Sequence, residues 1–480
     1  MAKPKAYKFG ASDEPAFAED FEVLTKAVLQ VTDIKSNHNK YYSIELHEAP
    51  GLSRYRVFTH YGRTDDLESN PNAGARETRH FDNRAEAEVC YQQIYREKTG
   101  ASKGYKEVSL ASSKIGSHKA RGNSSGAIDN KTLERIESEK EKRAQRAPST
   151  LPAGVQALIG YIYDEATNAL TSTVAAKITA HGIETPLGVL TLGQIEKGET
   201  ILQQLYQIVK AVDGKASTRE QSKIEQLSGE FYTCIPHRIG RTREAINEAI
   251  IDSPADFEQK QETLQLMKDM LQVNGEAGSV LFDDEIDAKY KALQCQVGWL
   301  EPDSAEFQQI ANYVIASQIK SKSIKVKQVY TLRRPQEWEV FTNHIDNQRQ
   351  LFHGSRVRNW VGLLSRGILM PKIVVGMGVN RTDAGWLGNG IYFGDTSCTA
   401  AFYTTPGKKG TRFMAVARVA LGKMAPYKKI TYGLEAPPDG FDSCHGVRHK
   451  MLSPSQFADD EYVVYSPKQQ RLEYLVEFTV

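Results

Sequence analysis

The sequence has few cysteines and no excess of either charge. Its five cysteines in 480 residues are scattered and include no Cys-x-x-Cys pair. This pattern excludes a disulfide framework and argues against zinc ribbons or fingers, so we expect no metal. Lysines and arginines number 61 and acidic residues 59, a net charge of +2. Any site for a polyanion such as a nucleic acid must therefore be local.

Long apolar runs are also missing. The most apolar stretch, 413–422, is interrupted by Arg418 and is too short to cross a bilayer. The first residues, Met1-Ala-Lys-Pro-Lys, lack the apolar segment of a secretory signal. With 40% hydrophobic and 25% charged residues, the composition is that of a globular protein. We expect an intracellular, soluble chain without a membrane partner, divided into about three domains.

The N-terminal part predicts a small α+β module. Residues 1–21 are an N-terminal tail, and the module itself covers 22–110. Within it, 40–48 and 54–63 alternate polar with aromatic or β-branched residues, which predicts two strands joined by a Pro-Gly turn. Asn83 is a suitable cap for a following helix.

A break in composition follows at 111–150. Its first part is rich in Ser and Gly and carries Lys114, Lys119 and Arg121 without an acid, which predicts a flexible, locally basic linker. Residues 131–146 have i,i+4 charge pairs but no apolar stripe, and so predict a solvated spacer helix. The basic cluster is either a solvated linker or a nucleic-acid contact, and both alternatives stay open.

The rest of the chain divides into two domains of different class. Residues 151–283 carry apolar side chains at i, i+3, i+4 and i+7, which predicts an all-α helical domain. Residues 284–480 contain short aromatic and β-branched stretches separated by Gly and Pro. These stretches do not alternate with helices as a parallel sheet requires, so we predict an antiparallel α+β domain.

Several residues of the last domain are suited to binding or catalysis. The glycines of 385–390 precede a strand, the reverse of a dinucleotide-binding fingerprint, so we interpret them as a loop with a close backbone approach. His353 ends an apolar strand, Tyr392 lies in another, and Glu461 opens a third. Taken singly, each is more simply explained by packing or by a solvated surface.

Taken together and in order, these segments resemble the poly(ADP-ribose) polymerase family. The catalytic-domain resemblance lies in LFHGSRVRNWVGLLSRGI (351–368), GWLGNGIYFGD (385–395) and DDEYVVYSPKQQRLEYLVEF (459–478). TPLGVLTLGQIEKGETIL (185–202) and LSGEFYTCIPHRIG (227–240) resemble its helical regulatory domain. The segments at 27–48, 60–63 and 95–100 resemble its tryptophan-glycine-arginine (WGR) DNA-sensing domain. The resemblance is to the compact branch of the family without zinc fingers.

The resemblance implies NAD as substrate and assigns roles to particular residues. Its His-Tyr-Glu signature falls on His353, Tyr392 and Glu461. His353 would hold the adenosine ribose, and the backbone of Gly354 would hold the nicotinamide carboxamide. Tyr392 and Tyr403 would stack on the nicotinamide ring. Glu461 would bind the nicotinamide-ribose 2′-hydroxyl and stabilise the positive sugar of the transition state.

Other positions of the NAD site depart from the family pattern. Ser355 belongs to the NAD-contacting set, but the family's Lys-Ser pair falls on Thr399 and Ala400. Either Thr399 takes over the serine's bond to the carboxamide, or one bond of about 1 kcal/mol is lost. Leu369 replaces an arginine on the adenine side, and 371–384 would form the donor-site loop.

The DNA-sensing module departs from the pattern as well. Its signature tryptophan is Tyr61 here, followed by Gly62 and Arg63. The resemblance implies that Tyr61 stacks on an exposed sugar or base and that Arg63 binds the 5′-phosphate of a DNA end or nick. Asp65 places an acid close to that phosphate. The alternative is a strand-end aromatic and a surface arginine without a ligand.

The resemblance as a whole implies a DNA-break-activated poly-ADP-ribosyltransferase that acts in DNA repair. Damaged DNA and protein acceptors, including the chain itself, would be its partners. The helical domain would cover the NAD site until DNA binds. Two alternatives remain, a mono-ADP-ribosyltransferase of the same fold and a catalytically weak DNA-end-binding scaffold. The location would be the nucleus in a eukaryote and the cytoplasm in a bacterium.

Overall fold

A computed structural model describes residues 4–480 except 35–37, 71, 122–148, 180–181, 213–215, 238, 240–241, 277–285, 320–322 and 371–384. The predicted spacer helix and the predicted donor-site loop therefore lie outside the described residues. The chain divides into two compact units, Met1–Pro148 with Thr171–Leu264 and Ser149–Leu170 with Gln265–Val480. In the part that is described, no helix is long and apolar enough to cross a membrane.

Helices occur throughout the described ranges. In chain order they are α1 (Arg84–Thr99), α2 (Ala153–Thr173), α3 (Leu192–Ala211), α4 (Thr218–Cys234), α5 (Arg243–Glu248), α6 (Pro254–Glu276), α7 (Ile286–Ala292), α8 (Ala305–Ala316), α9 (Pro335–Val340), α10 (Trp360–Arg366) and α11 (Ser397–Phe402). Short 3-10 turns lie at Asp65–Glu68, Val357–Asn359 and Pro467–Gln469.

The strands of the described residues form three sheets. The first contains β1 (Tyr7–Lys8), β2 (Glu22–Asp33), β3 (His38–Ala49), β4 (Arg54–Arg63), β5 (Ala75–Phe81) and β6 (Lys106–Glu107). The second contains β7 (Leu110–Ser113), β8 (Lys177–Thr179), β9 (Gly182–Glu184) and β10 (Gly188–Leu190). The third contains β11 (Gln296–Trp299), β12 (Lys325–Arg333), β13 (Gln348–Ser355), β14 (Ile391–Gly394), β15 (Arg412–Ala420), β16 (Met424–Tyr427), β17 (Ser443–Gly446), β18 (Glu461–Val464) and β19 (Gln470–Thr479).

The first sheet is antiparallel, with the order β1-β5-β4-β3-β2-β6. Helix α1 packs on one face, where Leu29, Ile44 and Val57 meet Cys90 and Tyr91. The predicted cap of this helix is present, because the Asn83 side chain accepts hydrogen bonds from the backbone N–H groups of the first turn. The alternation of the strands thus places an apolar face under the helix.

The predicted flexible linker is wrong for residues 111–121. Strand β7 pairs with β10, and Ile115 is fully buried. Ser117 Oγ donates to the Glu45 carboxylate at 2.6 Å, and Lys26 Nζ donates to the Ile115 carbonyl at 2.8 Å. A serine- and glycine-rich segment becomes ordered here because the backbone N–H and C=O groups find buried partners on the sheet.

The helical region contains more than helices. Helix α4 begins at a capping box formed by Ser217 and Glu220, and α3 is capped by Thr191. Between α2 and α3 the chain forms the short strands β8, β9 and β10, which the helical periodicity did not predict. Strand β10 pairs with β7, so the second sheet joins the helical region to the WGR-like module within the first unit.

The third sheet places the predicted site residues. Its order is β11-β12-β19-β15-β13-β14-β18-β17-β16. Within the described residues its neighbouring strands are antiparallel, except that β16 and β17 are parallel. Its core includes Phe352, Met414 and Val476, which pack against α8. The structure is a mixed α+β protein with antiparallel sheets, as the sequence predicts.

Candidate active site

Three neighbouring strands carry the predicted signature residues. His353 lies on β13, Tyr392 on β14 and Glu461 on β18. These strands are adjacent in the sheet, with Phe352 opposite Gly394 and Gly394 opposite Glu461. Strand pairing therefore brings three residues together in one part of the sheet, although the first, His353, and the last, Glu461, are more than 100 positions apart in sequence.

His353 is oriented by a hydrogen bond within the sheet. Its Nδ1 lies 3.0 Å from the Tyr392 carbonyl oxygen, and because that oxygen only accepts, Nδ1 carries the proton. In the neutral imidazole Nε2 is then an acceptor. The ring packs 5.7 Å from that of Phe393. The sheet thus holds the side chain in one tautomer and one orientation.

The Tyr392 hydroxyl is held by the glycine-rich loop that precedes its strand. It accepts from the Leu387 N–H at 2.9 Å and donates to the Gly388 carbonyl at 2.8 Å. Gly388 has φ +79°, and a Cβ there would lie 2.0 Å from the Leu434 carbonyl oxygen. The loop thus needs glycine for a close backbone approach, and that approach is to the chain's own backbone at Leu434.

Gly354 needs to be glycine because a short helix packs against it. A Cβ at this position would lie 1.9 Å from the Ala400 carbonyl oxygen. Ala400 belongs to α11, and Tyr403 follows directly after the end of that helix. The close contact therefore sets the position of the helix end that carries Tyr403. Ser355, the next residue on β13, accepts a hydrogen bond from Asn359 at 3.1 Å.

Thr399 is engaged inside the protein. Its hydroxyl donates to the Asp459 carboxylate at 3.0 Å and lies 2.6 Å from the Thr396 hydroxyl. Both Thr399 and Asp459 are buried. A hydroxyl has one proton to donate, and Thr399 donates it to the Asp459 carboxylate. A bond from Thr399 to a carboxamide would therefore require this contact to break.

An arginine-centred carboxylate cluster, not predicted from the sequence, lies beside Glu461. Arg448 donates to Asp395 at 2.9 Å, and its guanidinium lies 3.5 Å from Asp460 and 3.7 Å from Asp459. His445 lies 2.7 Å from the Asp460 carboxylate. Asp459 is only 8% exposed, so this acidic run is not the solvated surface that its composition suggests.

The pKa values of the cluster shift in opposite directions. Burial raises the pKa of Asp395 above its usual value, despite the nearby Arg448 cation. Burial would also raise the pKa of Asp460, but hydrogen bonds from the Arg448 backbone N–H and from His445 outweigh it and lower that pKa. The only sequence signal of this cluster was the acidic run before Glu461, because Arg448 lies outside the strands and His445 lies in a strand of only four residues.

Leu369, the predicted replacement on the adenine side, is 39% exposed and lies next to the undescribed segment 371–384.

In the described ranges, no group of three His, Cys, Asp or Glu side chains could hold a metal ion. All five cysteines are free thiols.

The predicted DNA-contacting residues lie at the end of β4. The Tyr61 ring stacks on Tyr42 at 5.2 Å with 10° between the planes, and its hydroxyl donates to Glu77 at 2.8 Å. Burial and Glu77 raise the pKa of Tyr61. The Arg63 guanidinium lies 3.3 Å from Asp65. Both residues are thus held by neighbours within the module.

The basic residues of the former linker also have partners inside the fold. Lys114 pairs with Glu184, Lys119 lies over the Phe21 ring at 5.0 Å, and Arg121 donates to the Gly116 carbonyl at 3.0 Å. The cluster is therefore part of a folded surface and not of a solvated linker. The alternative, a nucleic-acid contact, stays a prediction.

Three family models match the chain in sequence order. They are the WGR domain at residues 25–111, the poly(ADP-ribose) polymerase regulatory domain at 149–289 and the poly(ADP-ribose) polymerase catalytic domain at 304–480. The protein is thus of a modular class, in which a WGR domain and a helical regulatory domain precede a catalytic domain. The chain belongs to the poly(ADP-ribose) polymerase family, as its sequence motifs predicted.

Curated relatives cover different shares of the chain. "Protein mono-ADP-ribosyltransferase PARP4" of Homo sapiens is 34% identical over 69% of this chain and 18% of its own length. "Poly [ADP-ribose] polymerase 2-B" of Oryza sativa is 25% identical over 94% of this chain and 71% of its own length. "Poly [ADP-ribose] polymerase 1" of Arabidopsis thaliana is 24% identical over 98% of this chain and 48% of its own length. The chain thus spans less than a fifth of the human relative.

Proposed function

We propose that this protein is an NAD-dependent ADP-ribosyltransferase. The observation that supports this most directly is the adjacency of β13, β14 and β18, which carry His353, Tyr392 and Glu461. Because His353 Nδ1–H donates a hydrogen bond to the Tyr392 carbonyl, Nε2 can accept a hydrogen bond from a ribose hydroxyl. Tyr392 and Tyr403 would provide the faces for the nicotinamide ring.

The proposed reaction exchanges one glycosidic bond for another. The bond between nicotinamide and ribose C1′ breaks, and its electron pair leaves with nicotinamide. An acceptor nucleophile then bonds to C1′ and releases its proton. Departure of nicotinamide leaves positive charge on the sugar, and the fixed Glu461 carboxylate stabilises that charge more in the transition state than in bound NAD.

We further propose that the product is a polymer, because Glu461 completes the signature that chain elongation requires. Acceptors would be protein side chains, including those of the chain itself, and the growing chain. A second candidate is transfer of single units. It is favoured by the name of the 34% identical human relative, a mono-ADP-ribosyltransferase.

One experiment separates these activities. The purified chain is incubated with labelled NAD, with and without nicked DNA, and separated on a denaturing gel. A smear that intensifies with DNA is expected for the proposed function. A sharp band would indicate single-unit transfer, and absence of label in both lanes would favour an inactive DNA-end-binding scaffold.

NAD affinity should respond to the residue that replaces the family serine. Ala400→Ser places a hydroxyl at the position of the family's serine and is expected to strengthen NAD binding about fivefold, the equivalent of one hydrogen bond of about 1 kcal/mol. Calorimetric titration with NAD measures this effect. Thr399→Ser keeps the hydrogen bond from this hydroxyl to Asp459. It serves as the control, in which NAD affinity should not increase. Unchanged affinity in Ala400→Ser would show that the missing bond is not limiting.

We propose that DNA breaks activate the protein through the WGR domain. Arg63→Ala is expected to remove DNA-stimulated activity and to leave the basal activity, because the guanidinium supplies the fork for a 5′-phosphate. Asp65→Asn is the matched variant with the opposite expectation, since it removes the carboxylate 3.3 Å from Arg63. Activity titrated with 5′-phosphorylated nicked DNA measures both. Equal stimulation of the wild type and Arg63→Ala would contradict the role.

The helical domain is the proposed regulator. Within the second unit, Asp269 of α6 forms a bidentate ion pair with Arg366 of α10. Arg366 Nε and Nη2 donate to the two carboxylate oxygens at 2.5 and 3.1 Å. Helix α2 reaches the loop after Tyr403, where Glu165 accepts from the Lys408 N–H at 2.7 Å. These contacts support a domain that restrains the catalytic sheet until DNA binds. In a eukaryotic cell this activity would belong to the nucleus.

A further inference from the structure

A cavity of about 710 Å³ lies in the WGR-containing unit. Its lining comes wholly from residues 9–121, namely the N-terminal segment, β4, β5 and the ordered segment after β7. The volume falls in the range of about 300–1,000 Å³ that is usual for small-molecule sites. The predicted DNA contacts lie elsewhere, because Arg56 and Phe58 alternate with Tyr61 along β4 and therefore belong to opposite faces of the sheet.

The first charged group of the cavity is a buried arginine. Arg56 is 6% exposed, and its guanidinium bonds His47 Nδ1 at 3.2 and 3.1 Å and lies 4.4 Å from the Phe17 ring centroid. Among the described residues, no carboxylate oxygen lies within 4.0 Å of it. Burial lowers the pKa of Arg56 to about 10. Because the guanidinium can only donate, His47 Nδ1 accepts and carries no proton, so this cation is bonded to a neutral imidazole. Buried charges are usually paired with an opposite charge.

Two further arginines converge in the same cavity. Arg76 and Arg121 donate to one oxygen, Asn72 Oδ1, at 2.8 and 2.6 Å. Within the described ranges neither has a carboxylate partner within 4.0 Å, and Arg76 Nε is buried without a hydrogen-bond partner. Two like charges held on one neutral amide repel each other. An anion placed between them would relieve this repulsion and use the remaining N–H groups.

The rest of the lining suits an aromatic ring. Phe9 is 41% exposed and meets Phe58 edge to face at 5.3 Å, and Phe17 lies on the same cavity. Two acids line the cavity: Glu14, which is engaged by the Gly10 N–H at 2.6 Å and by Thr78 at 2.8 Å, and Glu19, which is exposed. The cavity thus combines three arginines with exposed aromatic faces.

We propose that this cavity binds a nucleoside diphosphate. The diphosphate would lie among Arg56, Arg76 and Arg121, which present forked donors that match phosphate oxygens. The base would stack on Phe9 or Phe17. A concave cavity of this volume is suited to a small nucleotide. The site is independent of the proposed transferase reaction, since none of its residues belongs to the catalytic sheet.

The test uses the full chain with ADP as the probe. Hydrogen–deuterium exchange is expected to show ADP-dependent protection at 72–76 and 116–121. In calorimetric titration, Arg121→Gln and Arg76→Gln are each expected to weaken that ADP binding at least tenfold. Arg54→Gln on the same strand is the matched control with the same loss of charge at an exposed position, and should stay within twofold. Melting curves establish that each variant is folded.

Two results would overturn the proposal. The first is that ADP does not protect residues 72–76 and 116–121 from exchange. This result is expected if ADP binds only at the transferase site. The second is that Arg121→Gln reduces the affinity for a 5′-phosphorylated duplex but leaves the affinity for ADP unchanged. The cavity would then be an extension of a DNA-binding surface. A failure of the transferase itself leaves this test intact, because ADP binding is measured without turnover.

Discussion

Glu461→Gln is expected to abolish polymer elongation while NAD still binds. The substitution keeps size and hydrogen-bonding shape but removes the negative charge opposite the sugar, which is needed only when nicotinamide departs. Loss of such a group from an active site costs about 100-fold or more in rate. Labelled-NAD incorporation measures elongation, and calorimetric titration of the same variant measures NAD affinity.

The control for charge loss is Glu435→Gln, at an exposed position of the same domain. It should retain full activity. Polymer formation by Glu461→Gln at the wild-type rate would sink the proposed role. Loss of NAD binding together with activity would mean that the carboxylate acts mainly by holding the substrate.

Gly354→Ala is expected to abolish transferase activity and to lower the melting temperature. One added methyl group would lie 1.9 Å from the Ala400 carbonyl oxygen, so β13 or α11 must move. Either movement displaces His353 or Tyr403, and misplacement by about 1 Å can cost about 100-fold in rate. Initial rates with labelled NAD and a thermal melt measure the two effects.

Gly160→Ala makes the same chemical change in helix α2, where a Cβ would meet nothing within 4 Å. It should keep full activity and stabilise the protein by about 0.5–1 kcal/mol, because alanine loses less backbone freedom in a helix than glycine. A Gly354→Ala variant that melts and reacts like Gly160→Ala would show that the sheet adapts to the methyl group.

Much of the site could be predicted from sequence because its signals are local. The strand stretches around His353, Tyr392 and Glu461 show the alternation or apolar content that predicts strands, and their order along the chain carries the family resemblance. The cap at Asn83 also needs only neighbouring residues. The positions of Tyr61 and Arg63 at the end of β4 follow from the same kind of pattern.

Other features depend on partners far along the chain. Thr399 is bonded to Asp459, and Arg448 gathers three aspartates, including Asp395. Nothing in the local pattern of these residues specifies such pairs. The segment 111–121 has a linker composition, yet Ser117 and Glu45, 72 positions apart, hydrogen-bond in the buried interior. Burial and hydrogen bonding with distant residues override composition here.

The sequence by itself determined the fold class, a mixed α+β protein with antiparallel sheets, and the residues of the proposed chemistry. Periodicity and motif order are properties of the linear chain, and they suffice for this. Only the tertiary structure decided which side chains meet: His353 with the Tyr392 carbonyl, and Arg76 and Arg121 on Asn72. Such contacts arise from strand register and packing between distant segments, which no local pattern encodes.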